Sequence, residues 1–162
     1  MLSLRRAARS VLVAAAILGA ALPARAADVA FEKAPLTIRT LDGKTHAFTV
    51  ELAVNSDQRA QGLMYRREMA ADHGMLFDFA QTRPVMMWMK NTFLPLDMLF
   101  LSKSGKVETV HQNAVPQSEA IIDSRVPVAY VVELNAGTAK ELAITPGAQV
   151  NLPATLPAAK PD

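Results

Sequence analysis

The sequence predicts a mainly β domain with two short helices, folded as a single curled sheet or small barrel; an α+β sandwich is the alternative. Three observations carry this expectation. Seven or so short segments are apolar or alternating at strand length, two of the joints between them have hairpin chemistry, and only two short segments suit helices. A curled sheet hides many apolar strands without leaving long open edges. A chain of 162 residues suits one domain. Its expected bounds are 36–152, between a loose lead-in at 27–35 and a tail at 153–162 whose Pro157 and Pro161 favour disorder.

Residues 1–26 read as a secretory signal. Arg5, Arg6 and Arg9 supply the positive start, Val11 to Leu22 the apolar run, and Ala24-Arg25-Ala26 the small-residue cleavage site. The apolar run is short for a bilayer span, which takes roughly 20 residues. Cleavage before Ala27 is therefore expected, with a retained anchor as the alternative, and the location is periplasmic or secreted. Four of the 17 basic residues lie in this segment, so its removal leaves 13 against 15 acidic, a net charge of −2. A mildly acidic domain argues against nucleic acid as partner, because phosphate neutralisation needs a basic face. The chain has no Cys, which removes disulfides, thiolate metal sites and a Cys nucleophile.

The elements follow in order. Leu36 to Thr40 and Thr45 to Ala53 are strand-like, and Asp42-Gly43 between them is a strong hairpin signal because both positions tolerate positive φ. Asn55 or Ser56 can cap a short helix on which Ala60, Leu63 and Met64 share one face. Gly74 to Phe79 opens another strand. Ser102 to Lys106 is a second turn, with Gly105 suited to positive φ. Val107 to Ala114 returns as a half-buried strand, and Pro116 to Pro127 is a polar excursion. Val128 to Leu134 is a buried strand, Thr138 to Ile144 a short helix, and Gln149 to Leu152 the last strand.

The densest stretch, Pro84 to Leu101, holds the only Trp and four of the eight Met residues. Lys90, Asn91, Thr92 and Asp97 interrupt its apolar runs. Charges in such runs are costly to bury unless paired, so Lys90 and Asp97 are expected to pair, to face water or to act. One reading is a turn staple. The other is a site for a small ligand or a segment of an envelope protein, in which Lys90 gives charge, Asn91 and Thr92 give hydrogen bonds, Asp97 a carboxylate and Trp88 a wall, with Arg66 completing it. An envelope hydrolase using Asp97 as acid or base and a non-catalytic envelope module are the rival functions. Met86, Met87 and Met89 raise the question of Cu(I), but strand alternation would split them between two faces, so core packing is preferred. The three His residues are far apart in sequence, and neither a metal nor another cofactor is expected.

Several segments together resemble a known family. Arg59-Ala-Gln-Gly62-Leu63-Met64-Tyr-Arg66, Gly74-Met75-Leu76-Phe77-Asp-Phe79, Trp88-Met89-Lys90-Asn91-Thr92 and Pro95-Leu96-Asp97 carry the likeness, with Val132-Glu133-Leu134, Gly137 and Gly147 beyond them. The chain resembles the domain-of-unknown-function 192 family over about 36–152, with Met87 where Phe is expected. The resemblance implies a compact, β-rich exported domain and no established activity.

Overall fold

The computed structural model describes residues 29–156. The signal-like segment 1–26, Pro157 and Pro161 lie outside the described residues. In chain order the elements are β1 (Glu32–Arg39), β2 (Thr45–Ala53), α1 (Ser56–Gln61), β3 (His73–Arg83), β4 (Met86–Met87) and β5 (Leu96–Leu101). They continue with β6 (Val107–Ala114), β7 (Ile122–Asp123), β8 (Val128–Asn135), α2 (Thr138–Glu141) and β9 (Gln149–Asn151). Seven strands form one sheet in the order β6-β5-β8-β3-β2-β1-β9, while β4 and β7 make a separate ribbon. The β2–β3 pair is parallel, bridged by the α1 connection, and the other pairs are antiparallel.

The sheet curls strongly into a half-barrel, as a mainly β chain with two short helices should. Its end strands meet where Lys106 bridges to Gln149. Gly105 permits that closure. Its φ is +79°, and a Cβ there would sit 2.3 Å from the Val150 carbonyl oxygen, a backbone overlap that no side chain could relieve. The first hairpin closes as its Asp-Gly pair predicts: the Thr40 N–H donates to the Lys44 carbonyl at 2.9 Å, and Gly43 has φ +86°.

Two apolar layers flank the sheet. Leu36, Ile38, Val50, Leu76, Leu99 and Val132 belong to the layer on the inside of the curl, joined by Ala139 of α2 and by Ile144. Met75, Phe77, Met98, Phe100 and Val131 lie on the other face, covered by Leu63 after α1 and by Val85, Met89 and Leu94. Both faces are therefore buried, which explains why β5 and β8 read as continuous apolar runs rather than alternating ones.

Several boundaries differ from expectation, among them the second helix, which ends at Glu141 rather than Ile144. The strand expected from Leu36 begins at Glu32, within the supposed lead-in, and contains Pro35 opposite Thr49. Proline fits because β9 pairs with β1 only from Thr37 to Arg39, so β1 is an open edge at Pro35. The first helix stops at Gln61 because Gly62 leaves helical geometry with φ +48° and ψ −138°. The polar excursion after Pro116 contains β7, whose Ile122 pairs with Met87. Pro153 to Leu156, expected in the disordered tail, instead makes a turn whose Leu156 packs on the inner layer.

Candidate functional site

Glu133 sits toward the C-terminal end of β8, between Met75 of β3 and Met98 of β5 in cross-strand register. Its side chain is 4 % exposed, and no described residue gives its carboxyl a hydrogen bond or an ion pair. An isolated carboxylate in such a place is expensive, so the group shifts toward its neutral form. Burial alone pushes its pKa up to about 8. At neutral pH Glu133 is accordingly a carboxylic acid with an O–H to donate.

The carboxyl belongs to a cleft of about 360 Å³. One wall is the stretch from Arg59 to Met64, which carries the end of α1. The capping box of that helix fixes its start: Asn55 Oδ1 accepts from the Gln58 N–H at 2.9 Å, and the Gln58 side chain accepts from the Asn55 N–H at 3.2 Å. At its end, a Cβ on Gly62 would meet the Phe77 ring at 3.2 Å, so glycine lets the helix end lie against β3. Phe77, Phe79, Met86, Met87, Trp88 and Thr92 complete the lining.

Two guanidinium groups join this lining. Arg59 Nη1 donates to the Val54 and Asp78 carbonyls at 2.9 and 2.8 Å, which ties the side chain to β3. Arg83 lies over the Phe79 ring at 5.0 Å and is exposed. The β3 bulge between Asp78 and Arg83 sets this edge. There Ala80 takes a φ of 60° and the Asp78 carboxylate accepts its N–H at 2.7 Å.

The six residues expected to form one site are dispersed. Trp88 and Thr92 do line the cleft. Asn91 holds the loop: its φ of 56° makes a tight turn, and its carbonyl accepts the Tyr65 N–H at 2.9 Å. Met89 plugs the outer layer beneath, so Trp88-Met89-Lys90-Asn91-Thr92 is a compact turn anchored by one buried thioether. Lys90 points outward to Glu119 at 3.3 Å and stacks over Trp88 at 5.6 Å from its centroid. Arg66 makes a two-pronged pair with Glu51, 2.7 Å at the longer contact, and holds that carboxyl below the usual carboxylate range. It borders a different cavity, with Lys33, Glu68 and His73.

The expected Lys90–Asp97 pair does not form. Asp97 is fully buried, and its parity in β5 matches Leu99 and Leu101 on the inner layer. One oxygen accepts the Asn113 N–H and the other the Ala139 N–H, each at 2.8 Å. An extra residue in β6 between the Leu96 and Met98 pairings forms a bulge, and Asn113 with φ 55° turns its N–H toward Asp97. Asp97 thereby ties β5 to β6 and to the start of α2, whose Gly137 provides no side-chain cap. It is a structural staple.

Strand alternation also misplaced the methionines. β4 is only two residues long, so the chain leaves strand geometry after Met87, and Met86, Met87 and Trp88 all border the cleft. Among the described residues no group of three or more His, Asp or Glu is placed to hold a metal ion.

The family follows from the whole domain. The family model of DUF192, described as uncharacterised ACR, matches residues 37–152, and the chain belongs to that family. Two solved structures are similar to it. A candidate transcription regulator from Sinorhizobium meliloti 1021 is 64 % identical, with a TM-score of 0.75, over 76 % of this chain and 96 % of that one. A protein of unknown function from Novosphingobium aromaticivorans DSM 12444 is 35 % identical, with a TM-score of 0.74, over 82 % of this chain and 94 % of that one. No curated protein matches the chain.

Proposed function

We propose that this protein is an exported ligand-binding domain, and that the cleft under the Trp88 loop holds a small, largely apolar molecule. The observation that carries this reading is Glu133: a buried carboxyl without a partner, at a concavity walled by Met64, Phe77, Met87 and Trp88. An acidic side chain held almost out of water, with no hydrogen-bond or ionic partner and lining a concavity, is a candidate functional group. The volume of about 360 Å³ falls within the range of small-molecule sites, roughly 300–1,000 Å³. Export rests on the pattern of Arg5, Arg6, Arg9, the apolar run to Leu22 and the Ala24-Arg25-Ala26 site. The described residues include no helix long and apolar enough to cross a membrane.

The S. meliloti protein is described as a candidate transcription regulator; binding of nucleic acid by this chain would call for a basic face. Here residues 27–162 carry 13 basic against 15 acidic side chains, and Lys44, Arg66, Lys90 and Lys106 are paired with carboxylates. A second reading has one specific support: a neutral acid in a cleft is what general acid catalysis requires. The other charged residues lining the cleft are Arg59 and Arg83, neither suited to be its base, so binding is preferred.

The test uses N-phenyl-1-naphthylamine, a neutral apolar fluorophore, with Trp88 as internal reporter. One bound probe per chain is expected, with quenched Trp88 emission. Met87→Arg should abolish binding and Lys90→Met should leave it intact. Absence of binding, or binding indifferent to Met87→Arg, sinks the reading.

A further inference from the structure

The charges around the cleft narrow the chemistry of its occupant. This step rests on the cleft being a ligand site and adds the ligand's class. We infer that the cleft takes an amphipathic anion, whose apolar body lies over Glu133 among Met64, Phe77 and Met87 and whose anionic head meets Arg59 and Arg83.

The lining is divided by chemistry. Apart from Glu133, its charged members are both cations. Two hydrogen bonds from Nη1 orient the Arg59 guanidinium, and its Nε and Nη2 have no hydrogen-bond partner among the described residues. Arg83 is steadied by the Phe79 face, and its one hydrogen bond is a long contact of 3.2 Å to the Pro84 carbonyl. Neither is neutralised by an acid, whereas Arg66 and Lys90 nearby both are. Fixed guanidinium groups with free N–H bonds suit carboxylate, sulfate or phosphate heads.

Glu133 fits the same occupant. An apolar chain laid over it removes its last water, which favours the neutral acid further. A cationic ligand would instead draw the proton off. The two classes therefore have opposite pH dependence. The other charged groups lining the cleft with Glu133 are Arg59 on α1 and Arg83 on β3, and the flanking strands present Met75 and Met98. Any change in binding near pH 8 then reports Glu133.

Three ten-carbon probes with one tail and different heads make the test: decanoate, decanol and decyltrimethylammonium. Each is titrated below its micelle concentration, read by displacement of N-phenyl-1-naphthylamine. Decanoate should bind about tenfold more tightly than decanol near neutral pH, the gain of a charge-assisted contact. Arg83→Gln should shrink that advantage and Arg83→Glu reverse it, with far-UV circular dichroism showing that both variants are folded. Decanoate affinity should fall by up to about tenfold per pH unit above pH 8, and Glu133→Gln should flatten that fall. Equal binding of all three probes overturns the anion assignment and leaves the cleft reading standing. Preference for decyltrimethylammonium, strengthening as pH rises, overturns it in favour of a cation on Glu133. If none of the three displaces the fluorophore, or the fluorophore itself does not bind, the cleft reading falls as well.

Discussion

Asp97 and Glu133 are near neighbours on adjacent strands, since β5 and β8 pair Asp97 with Leu134 and Met98 with Glu133. Both carboxyls are buried, yet they face opposite sides of the sheet and meet opposite conditions. Each oxygen of Asp97 accepts a backbone N–H. Glu133 has no such donor, and burial lifts its pKa to about 8. A charge within an apolar strand therefore carries no single meaning. Where the fold aims donors at it, the residue organises the fold; where the fold supplies none, burial favours the neutral acid.

The sharpest way to break this contrast is to remove each carboxylate in turn. Asp97→Ala should cost about 3–5 kcal/mol, because it leaves two buried N–H groups without acceptors and frees the start of α2. Urea unfolding would measure it, and a loss below 1 kcal/mol would mean that the staple is unimportant. Glu133→Gln should act in the other direction. Below an ordinary glutamate pKa, near 4.5, both states of the chain hold the Glu133 proton and it contributes no pH dependence. As pH rises toward 8 the unfolded chain releases that proton and the folded one keeps it, so stability falls by about 1.4 kcal/mol per pH unit. Above the folded pKa the loss levels off. The glutamine variant should lack this slope and be more stable than the parent by about 2–3 kcal/mol near pH 9, after the burial cost of its own amide. Thermal melts across that range would show it.

Arg66 and Glu51 test the intermediate case, a half-buried carboxylate with an ionic partner. Arg66→Ala should cost about 1 kcal/mol near neutral pH. Because Glu51 is held below its ordinary pKa, that contribution is present above about pH 4.5 and disappears as pH falls through the folded value. The smallest effect is expected at Lys90, whose partner Glu119 is solvated. Lys90→Met should change stability by no more than about 0.5 kcal/mol, where a buried Lys90–Asp97 pair would have made the same change cost about 3–5 kcal/mol.

The sequence was legible where local chemistry decides. The Asp42-Gly43 and Gly105 turns, the double-sided apolar runs of β5 and β8, and the family likeness all lay in short stretches, and all were recovered. Asp97 was singled out correctly as an anomaly, but its partners, Asn113 and Ala139, are backbone N–H groups brought in by a bulge and by a helix start. No side-chain pattern announces such donors, so Lys90 looked like the natural partner. Glu133 carried the same signal as Asp97, a lone carboxylate inside Val-Ala-Tyr-Val-Val-Glu-Leu. It entered only through the family likeness and not as a site residue, because no polar residue stands beside it; its cleft is assembled from β3, β4, α1 and the Trp88 loop, which are remote in sequence.

The contrast between the two carboxyls is tested most directly by carbon NMR of protein labelled at the glutamate side-chain carboxyls, titrated with pH, with Glu133→Gln used to assign the resonance. One carboxyl carbon should stay at the neutral-acid shift through pH 6 and titrate near pH 8, and that signal should be missing from the variant. A Glu133 resonance that titrates in the ordinary glutamate range, near pH 4.5, would contradict the assignment of Glu133 as a buried, unpartnered acid at the cleft.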